Sequence, residues 1–201
     1  MKITDVLILL CIVTSLYAWS TGTDLAFSVN ALLNGEYYPL ITAIFVHANL
    51  LHLVGNMIFL YIFGSYLEND VGAKRTALVF MTGGVLSFIF SIPFYPGAEM
   101  LGASAAIFSV MAALVLVRRP GFSFEFLSPA GPIVIFYLIF NIFSIKNGAT
   151  GNVAYLSHVI GFLIGALFGA KWNKKWVESL VYTLILLAVY ILIYNYLKNM
   201  I

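Results

Sequence analysis

The chain has 201 residues, is 62% hydrophobic and only 9% charged, where soluble domains carry roughly 25% charged residues. That composition excludes a water-soluble domain and reads as an all-α polytopic membrane protein, with the lipid bilayer as its surroundings. The net charge of +2 is too small to imply a nucleic-acid partner, and the single Cys11 leaves no intrachain disulfide to form.

Seven apolar segments are predicted, at about 3–20, 46–67, 76–94, 101–117, 130–145, 153–170 and 177–197. A span needs roughly 20 residues, so most qualify and the fourth and fifth are short. With no internal repeat and no low-complexity tail, they read as a single membrane domain over 1–201. Lys2, an apolar run and Ala18-Trp19-Ser20 also fit a cleaved signal peptide. Asp5 weakens its charged start, and the segment is read as a retained span. The basic residues alternate. Lys2, Lys74, Arg75, Arg118, Arg119, Lys171, Lys174 and Lys175 fall on one side, and only Lys146 and Lys198 on the other. The positive-inside rule then puts the N-terminus in the cytoplasm and the C-terminus outside.

The first outer loop, roughly 21–45, has no Lys or Arg but carries Phe27, Leu32, Leu33, Tyr37, Tyr38, Leu40, Ile44 and Phe45. It is expected to lie in the membrane interface. It is either a greasy connector with aromatic anchors or a half-embedded structure that helps admit lipid-borne substrate.

The chemistry-bearing residues are few. His47, His52 and His158 all lie in or beside apolar stretches, and ionisable groups there mark a functional site by default. Ser104 stands in a Gly-Ala-Ser-Ala turn. Between Ser104 and Arg118 there are 14 residues, or about 21 Å of helix against a hydrocarbon core of about 30 Å. Ser104 is therefore expected below the outer surface, reached by a non-helical segment over 93–103. Irregular backbone at that depth must line a wet cavity or be buried in protein, and a water-filled pocket is expected.

His158 lies 13 residues from Lys171, at a similar height of about 20 Å. Gly161, Gly165 and Gly169 share its helix face, and Ala105, Ser109 and Ala113 repeat at the same spacing on the fourth segment. Small residues let membrane helices approach closely, which would bring Ser104 within hydrogen-bond reach of His158 as nucleophile and base. The alternative is a stripe that only packs, with His158 bonded to a backbone carbonyl. His52 and Asn56, four apart on one face near the same depth, are candidate oxyanion donors beside the backbone N–H of Ser104, or else interhelical polar glue. His47 is about 140° around an ideal helix from His52 and is expected to face elsewhere as an interfacial structural histidine.

Other intramembrane chemistries lack their residues. There is no HExxH, and Asp5, Asp24 and Asp70 all lie outside span interiors. Neither a zinc site nor an aspartyl pair is expected, and no acid is available to orient His158. The candidate is a Ser–His dyad rather than a triad.

These residues resemble the rhomboid family of intramembrane serine proteases. The run His47-Ala-Asn-Leu-Leu-His52-Leu-Val-Gly-Asn56 resembles the family's second-span motif. Gly102-Ala-Ser104-Ala resembles GxSG at the start of the fourth span. His158-Val-Ile-Gly161 followed by Gly165 resembles the sixth-span motif. The resemblance covers roughly 40–171. It implies a six-helix core plus a C-terminal seventh transmembrane helix. Ser104 would be the nucleophile, His158 the general base and then acid, and His52 and Asn56 the oxyanion helpers, with no cofactor and no metal needed. Substrates would be single-span membrane proteins cut near the outer part of the transmembrane segment. It also implies that Glu68 braces the inner loop. Ala105 replaces the motif's second glycine and is expected to crowd the fourth span. Phe108 stands where many members carry a tyrosine under the histidine. Tyr38-Pro39 replaces the family's Trp-Arg pair. A non-proteolytic relative that binds and escorts transmembrane helices is the alternative function.

Overall fold

The computed structural model describes residues 1–118, 130–146 and 155–198. Arg119, one of the basic markers, and positions 153 and 154 of the sixth apolar segment lie outside the described residues. Among the described residues the chain is all-α. Helix α1 runs Ile3–Thr21, and two short helices follow, α2 (Val29–Leu33) and α3 (Pro39–Phe45). Helices α4 (Leu50–Phe59) and α5 (Ser65–Val71) are joined through a π-helical turn, Leu60–Gly64, into one rod. Then come α6 (Ala73–Ser91), α7 (Ser104–Val117), α8 (Ala130–Lys146), α9 (Tyr155–Trp172) and α10 (Trp176–Lys198). Five helices are long and apolar enough to cross a membrane: α1, the α4–α5 rod, α6, α9 and α10. Helices α7 and α8 are apolar but shorter.

Helix α7 is the core. Every residue from Ala105 to Leu116 is buried, as a helix without a polar face must be. It packs most extensively on α9 and next on α6. The small-residue pattern explains this closeness. A Cβ on Gly161 would collide with the Ala105 carbonyl, and one on Gly165 with the Ser109 backbone. Gly169 lies against Ala113 and Leu116 in the same way. Ser109 uses its hydroxyl to bond the Gly161 carbonyl at 2.5 Å. Ala105 therefore does not hold α7 away from α9, contrary to the crowding expected of it. The glycine across the interface leaves the space its methyl-bearing backbone needs.

One end of the bundle gathers basic residues from several helices. Lys2 Nζ donates to Asn69 Oδ1 at 3.0 Å, Arg118 lies 4.0 Å from Asp70, and the Arg75 guanidinium sits 5.5 Å over the Trp172 ring. At that end Glu68 accepts from the Ile3 and Thr4 backbone N–H groups at 2.8 and 3.0 Å, and from the Thr4 hydroxyl at 2.7 Å. Glu68 thus caps the start of α1 and ties it to α5, rather than bracing an inner loop as the resemblance implied. The first turn of a helix leaves backbone donors unsatisfied, and a carboxylate satisfies them well. At the same end of the bundle, the Asn173 amide donates to the orphan carbonyl of Leu116 at 2.8 Å, which anchors the turn into α10.

The segment leading down to Ser104 is irregular but satisfied by protein. Phe27 and Met100 exchange both backbone hydrogen bonds at 2.8 Å, and Gly102 N–H donates to the Ala43 carbonyl at 2.8 Å. Met100 and Ala103 are buried, and the Phe27 ring, itself fully buried, stacks on Phe88 at 5.6 Å. These contacts meet the requirement that backbone at this depth have partners. The descent by itself therefore does not demand the water-filled pocket that was expected. The loop over 21–45 is part of this support. Ala43 and Ile44 are fully buried, while Leu33, Tyr37, Tyr38 and Ile41 point outward.

Candidate active site

The turn before Ser104 is shaped by Gly102. Its φ of +109° is a conformation that side-chain-bearing residues rarely adopt, and a Cβ there would strike the His52 ring. Ser104 follows as the first residue of α7, partly exposed. The backbone N–H groups of a helix's first turn lack intrahelical partners and favour negative charge, so the turn offers donors beside the hydroxyl.

Across the interface, His158 near the start of α9 is 7% exposed, and its Nε2 lies 2.8 Å from Ser104 Oγ. The glycine stripe lets α7 and α9 come close enough for this bond. The His158 face is covered by Phe108, with ring centroids 4.7 Å apart and planes 8° from parallel. Phe108 in turn stacks on Tyr137 of α8 at 5.2 Å, and Tyr137 stacks on Phe59 at 5.5 Å. The imidazole is therefore held flat by a column of rings drawn from three helices.

The third side of the site comes from α4. Asn49 caps that helix by accepting from His52 N–H at 2.9 Å, which starts α4 so that His52 and Asn56 share a face toward Gly102. A Cβ on Gly102 would lie 3.0 Å from His52 Nε2 and 3.8 Å from Asn56 Nδ2. Asn56 Nδ2 is buried and has no hydrogen-bond partner. An unmade bond of this kind costs about 1–3 kcal/mol, so it stands out as a donor without its acceptor.

His47 does not face elsewhere. Helix α4 begins only at Leu50, so His47 is not on it, and helical angles do not apply to the pair. The residue is 1% exposed, and its ring meets His52 edge-on at 5.1 Å. Its Nδ1 lies 3.1 Å from Ser15 Oγ, and its Nε2 accepts from Ala103 N–H at 3.4 Å. His47 thus links α1 to the turn before Ser104.

Sequence reasoning also missed Asn141 of α8. Its Oδ1 is 2.8 Å from His158 Nδ1. The signal was available, since Asn141 is a polar amide inside an apolar segment. Nothing in the spacing said which helix it would face. Among the described residues, no group of three His, Cys, Asp or Glu side chains is gathered to hold a metal ion.

A family model described as the Rhomboid domain matches residues 34–175. The chain belongs to the rhomboid family. Among curated relatives it is similar to the rhomboid protease GluP of Bacillus subtilis (strain 168), 33% identical over 152 residues. It is also similar to the rhomboid-like protein 11, chloroplastic, of Arabidopsis thaliana, 40% identical over 83 residues. A third relative is the inactive rhomboid protein 1 of Drosophila melanogaster, 34% identical over 80 residues. These alignments cover 71%, 41% and 40% of this chain but only 28%, 30% and 6% of the relatives. The chain thus spans less than a third of the length of these relatives. The match places the chain in a family that holds both proteases and members named inactive, and this rhomboid chain is a multi-pass membrane protein.

Proposed function

We propose that this rhomboid chain forms one membrane domain that acts as an intramembrane serine endopeptidase. The observation that carries this reading is the 2.8 Å approach of Ser104 Oγ to His158 Nε2, near the start of two closely packed helices. Ser104 Oγ attacks the scissile carbonyl carbon as its proton passes to His158 Nε2, giving a tetrahedral oxyanion. Asn56 Nδ2, the His52 ring and the backbone N–H of Ser104 donate to that oxyanion. The C–N bond then breaks as the imidazolium gives its proton to the leaving amine. Water, deprotonated by His158, cleaves the acyl-enzyme ester and frees Ser104. No step calls for a metal or a cofactor.

The substrates are single-span membrane proteins. Ser104 opens a 14-residue helix about 21 Å long, shorter than the hydrocarbon core of about 30 Å. A peptide reaches it only within the outer part of a transmembrane segment that has locally unwound. The basic cluster formed by Lys2, Arg75 and Arg118 faces the cytoplasm, with the N-terminus inside and the C-terminus outside.

A second reading, a non-proteolytic relative that binds and escorts transmembrane helices, draws support from the similarity to relatives named inactive. The two are separated by labelling the detergent-solubilised protein with a fluorophosphonate serine probe. Wild type should label, and Ser104→Ala and His158→Ala should both lose labelling, because the pair acts as a unit. A folded wild type that does not label would favour the escort. Labelling that survives in Ser104→Ala would remove the mechanism.

A further inference from the structure

Asn141 is 1% exposed in the middle of α8, where a buried amide is costly unless its polar atoms are bonded. Both ends are bonded. Its Nδ2 donates to the Tyr137 carbonyl at 2.7 Å, one helical turn back, and its Oδ1 faces His158 Nδ1 at 2.8 Å. The carbonyl can only accept, so the amide's orientation follows: the nitrogen must face Tyr137 and the oxygen must face the ring. An amide oxygen can also only accept. The proton of a neutral His158 therefore sits on Nδ1, and the lone pair is left on Nε2, the atom 2.8 Å from Ser104 Oγ.

The donors then run in one direction. Ser104 Oγ–H donates to Nε2, Nδ1–H donates to Asn141 Oδ1, and Asn141 Nδ2–H donates to the Tyr137 carbonyl. The Phe108 ring on the imidazole face and Tyr155, edge-on at 6.4 Å, limit its tilt. We infer that Asn141 is a positioning residue, which holds His158 in the Nδ1–H tautomer and so makes the serine–histidine pair a Ser–His–Asn relay across α7, α9 and α8. The inference rests on the proteolytic reading of Ser104 and His158. An amide suits the site because it sets the tautomer without the desolvation cost that a carboxylate would bring into the membrane. Tautomer control of this kind is the orienting part of the third residue's role in other serine hydrolases.

The test uses the full chain in detergent. With only three histidines, ring ¹⁵N spectra can be assigned by the signal lost in His158→Ala. Wild-type His158 should show the Nδ1–H tautomer. Asn141→Leu, which keeps the apolar volume but no acceptor, should show mixed tautomers. It should also label with the fluorophosphonate roughly 10- to 100-fold more slowly, a loss typical of small misplacements. A wild-type Nε2–H tautomer would overturn the inference, even if Asn141→Leu failed to fold. So would an Asn141→Leu protein that kept both the tautomer and the wild-type labelling rate. Wild type that labels beside such a variant would sink the relay alone. Wild type that never labels would remove the proteolytic reading and the relay together.

Discussion

Phe108 lies face to face with His158, 4.7 Å between centroids, and is itself 2% exposed. The pair joins the packing core to the imidazole whose Nε2 faces Ser104. Phe108 can stack but cannot hydrogen-bond, so the ring is held in plane by one neighbour and in azimuth by another, Asn141. Phe108→Leu keeps an apolar filling but loses the flat face, worth about 0.5–1.5 kcal/mol beyond buried area. Its fluorophosphonate labelling should slow while thermal unfolding shifts only modestly. Labelling at the wild-type rate would mean that hydrogen bonds alone hold the imidazole.

Gly161→Ala should be among the most damaging single-methyl changes. The added Cβ meets the Ala105 carbonyl, a backbone atom that cannot step aside. Overpacking of this kind costs about 1–3 kcal/mol, and relief by separating α7 from α9 lengthens the Ser104–His158 bond. Thermal unfolding and labelling should fall together. A variant of ordinary stability and labelling rate would show that the glycine stripe is not what sets the helix separation.

Asn56→Ala should divide activity from stability. Its buried Nδ2 makes no hydrogen bond to lose, so removing it leaves unfolding temperature nearly unchanged. If it donates to the oxyanion, turnover should drop about 10²–10³-fold, as for other such donors. Peptide or protein cleavage assays beside thermal melts measure both. A clear loss of stability with intact turnover would favour the interhelical-glue alternative.

Glu68→Gln should weaken the membrane bundle away from the site. The carboxylate collects three hydrogen bonds from Ile3 and Thr4, and the amide can accept through only one oxygen. Loss of a helix cap costs about 0.5–2 kcal/mol, seen as a lower unfolding temperature with the probe's saturation behaviour preserved. A selective loss of labelling without destabilisation would place Glu68 in the reactive chemistry instead.

Much of this was legible along the chain because it is periodic within single helices. The apolar runs led to an all-α membrane protein. The three-motif order carried the family resemblance that the match over 34–175 shows. The spacing of Gly161, Gly165 and Gly169 against Ala105, Ser109 and Ala113 anticipated the face on which α7 and α9 meet. Such patterns depend only on 3.6 residues per turn.

What the tertiary structure alone decided are partnerships between residues far apart in sequence. His47 looked turned away because helical angles were applied to a residue that precedes the Asn49 cap. The descent into Ser104 looked as if it needed water, because its acceptors, Phe27 and Ala43, belong to a loop more than fifty residues earlier. Glu68 found the start of α1, and Asn141 found His158, across helices whose rotations no local spacing reports. Most buried polar groups are bonded, so the sequence implied that these residues would have partners. Only the packing of helix on helix determined which ones.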